Sequence, residues 1–122
     1  MDLTSLRLKD RIAVITGAGS GIGRAMALHF AKEGANIVIA DLNLESAQET
    51  AKSIEALQKK TLALKVDISN LDDVQNLVNK TYEAFERVDI LVNNAGIFPL
   101  GYPLIKLPED ILTFLKFVPK SK

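Results

Sequence analysis

The 122-residue chain carries 15 Lys plus Arg against 15 Asp plus Glu, and this zero balance excludes a global pull toward nucleic acid or an anionic membrane. The absence of Cys and the single His exclude disulfides, thiolate catalysis and the usual zinc ligand sets. A hydrophobic share of 48% with 25% charged residues fits one folded domain, and no apolar run approaches a membrane span or a signal-peptide core, so a soluble cytoplasmic chain is expected.

Residues 1–10 read as a loosely held lead-in, with Leu6 and Leu8 placed to pack beneath a first strand. Ile12 to Ile15 is short and apolar on both faces, as a central parallel strand requires. Thr16-Gly17-Ala18-Gly19-Ser20-Gly21-Ile22-Gly23 follows and opens an amphipathic run to about Lys32. Glycines in that turn let the backbone approach an anion with no Cβ between them. The unpaired N–H groups at the helix start, at the positive end of the macrodipole, then face that anion. Ile22, Ala25, Met26 and Phe30 are predicted to form the buried face of this helix, and Gly34 to stop it. Arg24 is expected on a helix flank as a solvated cation, and His29, several turns from the loop, is assigned no role.

Ile37 to Ala40 reads as the second strand, at the spacing of a βαβ unit from the first. Asn43 suits the cap of a second helix, whose buried stripe is predicted as Leu44, Ala47, Ala51 and Ile54. Leu62, Leu64 and Val66 alternate with Ala63 and Lys65, the pattern of an edge strand. Ser69 and Asp72 resemble a capping box with Asp in the usual Glu position, ahead of a stripe of Leu71, Val74, Val78, Thr81 and Phe85. Ile90 to Val92 is the fourth strand. Gln58 and Glu86 stand at helix ends where Gly is common, a penalty on the order of 1 kcal/mol for each left-handed non-Gly cap.

Four landmarks now stand in order. They are the Thr-Gly-x-x-x-Gly-x-Gly loop, Asp41 at the end of the second strand, Val66-Asp67-Ile68-Ser69 after the third, and Asn93-Asn94-Ala95-Gly96 after the fourth. Over residues 6–111 the chain resembles the N-terminal half of the short-chain dehydrogenase/reductase family, and an NAD-dependent member in particular. The resemblance implies an α/β, Rossmann-type doubly wound parallel sheet with strand order 3-2-1-4. The expected domain is a single one over 1–122, truncated after the fourth strand, with a divergent tail at 112–122.

The family's chemistry is hydride transfer between a nicotinamide cofactor and an alcohol or carbonyl substrate. Carried over position by position, Gly17, Gly19, Ser20, Gly21, Ile22 and Gly23 are expected to hold the dinucleotide pyrophosphate. Asp41 is placed to accept hydrogen bonds from the adenosine ribose and to repel a 2′-phosphate. No Arg or Lys stands at Ser20, Leu42 or Asn43, where NADP-binding members often place one, so NAD is preferred over NADP. The other reading of Asp41 is a turn residue capping a strand end. Asp67, with the Ile68 backbone beside it, resembles the residue pair that meets adenine, and an Asx-turn before a helix is the alternative. Asn93, Ala95 and Gly96 resemble the segment lining the adenine-ribose side, although the Asn pair equally suits satisfying strand-end peptide groups.

Catalysis in the family rests on a Tyr whose phenol is brought into range by a Lys one helical turn later, aided by an upstream Ser and an Asn. Tyr102 and Lys106 match Tyr-x-x-x-Lys, but Pro103 and Pro108 oppose a helix through them, and the i,i+4 geometry is lost without one. Tyr82 has Glu86 rather than a cation at i+4, and nothing matches the catalytic Ser. Pro108-Glu109-Asp110-Ile111 reads as a helix start, after which the family pattern ends. No catalytic residue is therefore assigned, and the chain is expected to bind the cofactor without turning over substrate alone. ADP is expected to bind almost as well as NAD. An exposed fourth-strand edge is expected to favour self-association or pairing with another chain. The alternative role is a non-catalytic nucleotide-binding module assembling with full-length relatives.

Overall fold

The computed structural model describes residues 6–94. The elements alternate as β1 (Ile12–Thr16), α1 (Gly21–Lys32), β2 (Asn36–Asp41), α2 (Leu44–Glu55), β3 (Thr61–Lys65), α3 (Leu71–Phe85) and β4 (Ile90–Asn93). The strands form one parallel sheet in the order β3-β2-β1-β4, as the sequence predicts. The strand order reverses between β1 and β4, and the carboxyl ends of the strands beside this switch point are where such sheets take ligands.

Strand alternation divides the core into two layers. Ala13, Ile15, Ile37 and Ile39 point to one face, against Ala27 and Ala31 of α1 and Ala47, Ala51 and Ile54 of α2. Val14, Val38 and Ala40 point to the other, against Val74, Leu77 and Val78 of α3. All five β1 residues are buried, which explains a strand apolar on both faces, whereas β3 is half-buried along Thr61–Leu64 as an edge strand should be.

The helix faces differ in part from the predicted ones. In α1 the buried line is Gly23, Ala27 and Ala31, while Ile22 and Ala25 are exposed and Met26 and Phe30 half-buried. The helix lies so close to the glycine loop that a Cβ on Gly23 would collide with the Gly17 carbonyl oxygen, so the contact face takes small side chains. Thr50 joins Ala47, Ala51 and Ile54 as a buried residue of α2, and Leu44 is exposed. In α3, Leu77 replaces Leu71 in the buried stripe because the helix enters from solvent at its first residue.

The helix caps refine the reading further. Asn43 caps α2 by accepting the Ser46 N–H at 3.1 Å. The cap of α3 is Asn70, one residue beyond Ser69, and it accepts the Asp73 N–H at 3.0 Å. Asp73 reaches back not to the Asn70 N–H, which donates to Asp67 O, but to the Asp67 N–H at 2.9 Å, so the cap is shifted by one position and the reciprocal bond of a capping box is replaced by one to the turn ahead of it. Gly34 ends α1 at φ 102, and Gln58 and Glu86 take φ 63 and 65 as the missing glycines imply.

Residues 6–10 are held more firmly than a loose lead-in. Leu8 N–H donates to Glu33 O at 2.8 Å and Asp10 N–H to Gly34 O at 3.0 Å. Arg24 is also no free surface cation. Its Nε donates to Thr50 Oγ1 at 2.9 Å and its Nη2 to Ser46 O at 3.3 Å and Glu49 Oε2 at 3.2 Å, tying α1 to α2. At the amino end of the sheet, the Asp89 carboxylate accepts the Ile12 N–H at 2.8 Å and pairs with Arg11 and Arg87. Among the described residues, no helix is long and apolar enough to cross a membrane.

Candidate functional site

The carboxyl ends of β1 and β2 enclose a cavity of about 410 Å³. Thr16, Gly17, Ser20 and Ile22 from the glycine loop line one side, and Ala40, Asp41 and Leu42 another. Val66, Asp67, Ile68 and Asn94 complete the wall.

The loop side is built for an anion. The strand turns out of the sheet at Gly17, whose N–H donates to Ala40 O at 2.7 Å and whose φ is 67. α1 then starts with Ser20 as N-cap, but the Ser20 side chain makes no cap hydrogen bond, and the first turn holds no acid. Asn side chains cap α2 and α3, so among the three described helices α1 alone keeps its opening N–H groups uncapped by a side chain. Such groups, with the helix dipole behind them, hold a phosphate oxygen well. The room for that approach depends on missing Cβ atoms. A Cβ on Gly19 would stand 2.8 Å from both Asp41 Oδ2 and Ser46 Cβ.

Asp41 sits at the last position of β2 and faces Gly19. Its Oδ2 accepts the Gly19 N–H at 2.8 Å and its Oδ1 the Asn43 N–H at 2.9 Å. A carboxylate offers about four acceptor positions, so two bonds to backbone leave capacity for hydroxyl groups entering the cavity. Asp67 follows β3, and its Oδ1 accepts both the Ser69 hydroxyl at 2.6 Å and the Ser69 N–H at 2.9 Å. These two donors hold its carboxyl below the ordinary value of 3.8, against a small opposing effect of burial. The Asx-turn is therefore real, and Asp67 lines the cavity together with the buried Val66 and Ile68.

The Asn pair divides its labour. Asn93 Oδ1 accepts the Thr16 hydroxyl at 3.0 Å, and the Asn94 N–H donates to the same hydroxyl at 2.9 Å. These bonds lock the end of β4 to the end of β1, and Asn94 lines the cavity. Asn94, Leu42 and Thr16 were not singled out by the sequence reading as site residues. Position at the carboxyl end of a strand is the signal shared by all three. Ala95, Gly96, Tyr102, Lys106 and the helix start at 108–111 lie outside the described residues. Among the described residues, no cluster of three or more His, Cys, Asp or Glu is placed to hold a metal ion.

A protein-family model described as short chain dehydrogenase matches residues 11–111. The chain belongs to the short-chain dehydrogenase/reductase family. Among curated relatives, the short chain dehydrogenase/reductase astE of Aspergillus oryzae is 44% identical over 104 residues, covering 84% of this chain and 40% of that protein. The 3beta-hydroxysteroid dehydrogenase 2 of Eggerthella lenta is 38% identical over 104 residues, 85% of this chain and 40% of its own length. The chain thus spans about 40% of the curated family members it matches.

Solved structures of the family agree with the fold. A hydroxysteroid dehydrogenase from Escherichia coli superimposes with a TM-score of 0.78 at 31% identity, covering 96% of this chain and 54% of that one. A carveol dehydrogenase from Mycobacterium avium in complex with NAD gives a TM-score of 0.71 at 28% identity, over 88% of this chain and 43% of the other.

Proposed function

We propose that this chain is the NAD(H)-binding portion of a cytoplasmic short-chain dehydrogenase/reductase-type oxidoreductase. The observation that carries the reading is the convergence of an uncapped helix opening, a glycine cradle and the Asp41 carboxylate on one cavity at the sheet's switch point. The NAD bound to family members of the same fold supports it. The N–H groups at the start of α1, reached over Gly17 and Gly19, hold the pyrophosphate. Asp41 takes the adenosine ribose hydroxyls, and its charge opposes a 2′-phosphate, which favours NAD over NADP. Asp67 and the Ile68 backbone receive the adenine. The nicotinamide, when bound, supplies or accepts the hydride exchanged with an alcohol or carbonyl carbon.

Catalytic groups are a separate matter. The Tyr82 phenol is pushed up by burial, the opposite of what a proton-transferring Tyr needs, so it is no substitute for the family's Tyr-Lys pair. Binding without turnover is the expected behaviour of these residues alone. A fluorescence titration with NADH, with NADPH in parallel, tests the reading. Saturable NADH binding that NADPH matches only weakly is the expected result, and equal affinity for the two would remove the role given to Asp41.

A second reading rests on β4, which pairs with β1 alone among the described residues. Here the chain is a nucleotide-binding module that joins full-length relatives through that edge. Co-expression with such a relative separates the readings. A stable hetero-oligomer whose turnover comes entirely from the relative favours the second.

A further inference from the structure

The peptide unit joining Ala18 to Gly19 is held at both of its polar ends. Its N–H donates to Asp41 Oδ2 at 2.8 Å, and its carbonyl oxygen accepts from Thr50 Oγ1 at 2.9 Å. Thr50 is fully buried on α2, and it does not line the cavity. Its hydroxyl leaves its own helix to make this bond. A buried helical Thr ordinarily turns back to the carbonyl four residues earlier, as Thr81 does toward Leu77 O at 2.7 Å. Thr50 Oγ1 also reaches the corresponding carbonyl, Ser46 O, at 3.2 Å, but Ala18 O is the nearer acceptor.

Arg24 joins the same network. Its Nη2 serves Ser46 O at 3.3 Å, and its Nε donates into Thr50 Oγ1 at 2.9 Å. A hydroxyl has one proton to give. Ala18 O is the nearer of its two acceptors, and a cation donating into the same oxygen strengthens the outgoing bond.

We propose that Thr50, oriented by Arg24, is a positioning residue of the dinucleotide loop. It fixes the Ala18–Gly19 peptide plane from behind, while Asp41 fixes it from the front, so that the following N–H groups face the cavity. A glycine-containing turn has alternative peptide orientations at small cost, and holding both ends of one plane removes them. This proposal rests on the dinucleotide reading above.

Three variants test it, with NADH, ADP and adenosine as probes in calorimetric titrations and amide exchange measured on the ligand-free protein. Thr50→Val keeps the side-chain shape and removes the hydroxyl. It is expected to weaken NADH and ADP by about five- to tenfold, the cost of one hydrogen bond, and adenosine by less than about twofold. Thr50→Ser is expected to restore the affinity for both pyrophosphate ligands. Arg24→Gln, on the half-exposed side of the network, is expected to weaken them by about threefold and keeps the test open if Thr50→Val does not fold. In Thr50→Val the Gly19 and Ser20 amides are expected to exchange about tenfold faster, with those of Val74 and Val78 unchanged. Equal losses for ADP and adenosine, or no rescue by Ser, would make Thr50 a packing residue and overturn the proposal. Tight NADH binding by Thr50→Val overturns the positioning role alone. Failure of the wild-type chain to bind NADH at all overturns the dinucleotide reading and the proposal with it.

Discussion

Gly23, in the first turn of α1, lies against Asn94, just past the end of β4, so closely that a Cβ on the glycine would stand 2.6 Å from Asn94 Nδ2. The same Cβ would strike the Gly17 carbonyl oxygen. The Asn94 side-chain amide can turn aside, but the Gly17 carbonyl is backbone and cannot, since the Gly17 N–H is bonded to Ala40 O. The glycine loop, α1 and the ends of β1 and β4 therefore meet at a single crowded point.

Gly23→Ala should accordingly destabilise the fold by about 2–3 kcal/mol through overpacking. Gly21→Ala should cost only about 1 kcal/mol, since φ is 55 there but no atom lies within 4 Å of the added Cβ. Urea unfolding of the two variants checks this ordering, and equal losses would contradict the crowding argument.

Asp41→Ser removes the carboxylate proposed to accept the ribose hydroxyls and to oppose a 2′-phosphate. NADH should bind about tenfold more weakly and NADPH more tightly, read by parallel titrations. Some of the NADH loss comes from Gly19, whose N–H loses its carboxylate partner at 2.8 Å.

The depressed Asp67 carboxyl sets a pH dependence of known sign. A carboxyl lowered on folding contributes stability above its unfolded value of 3.8, and that contribution is lost as the pH falls through the lower folded value. Between about pH 5 and pH 8 Asp67 should thus stay ionised and leave NADH affinity unchanged. Ser69→Ala removes the hydroxyl that lowers the Asp67 carboxyl most and should move its titration up toward 3.8, as read by carboxyl-carbon NMR. An unchanged titration would show that the Ser69 hydroxyl does not set it.

Glu86 ends α3 with φ 65, a conformation that costs an L-residue energy and glycine almost none. Glu86→Gly should stabilise the chain by about 0.5–1 kcal/mol and raise the melting temperature by a few degrees. A fall in melting temperature would mean that the Glu86 side chain contributes more than its backbone strain removes.

Much of this was legible because it depends on local rules. The run from Ile12 through Gly23 announces strand, turn and helix within one short segment, and Asn43 behaves as the cap its position implies. What escaped depends on distances between elements. Large apolar residues suggested the buried face of α1, but Gly17 presses so close that Gly23, Ala27 and Ala31 occupy it. Arg24 looked like a solvated flank until α2 brought Thr50 and Ser46 to it. Asp89 showed no pattern of its own beyond the nearby Arg87, because its other partners Ile12 and Arg11 lie far away in sequence. Asn94 became part of the cavity wall through the register of β4 on β1, which only the assembled sheet defines.

The central claim is that the cavity between β1, β2 and the glycine loop takes the adenosine and pyrophosphate of NAD. Amide chemical-shift mapping on addition of NAD tests it most directly. The predicted result is saturable shifts at Ser20, Gly21, Ile22, Leu42 and Ile68, with ADP moving the same amides. Shifts confined to other surfaces, or none at NAD concentrations in the millimolar range, would contradict the account.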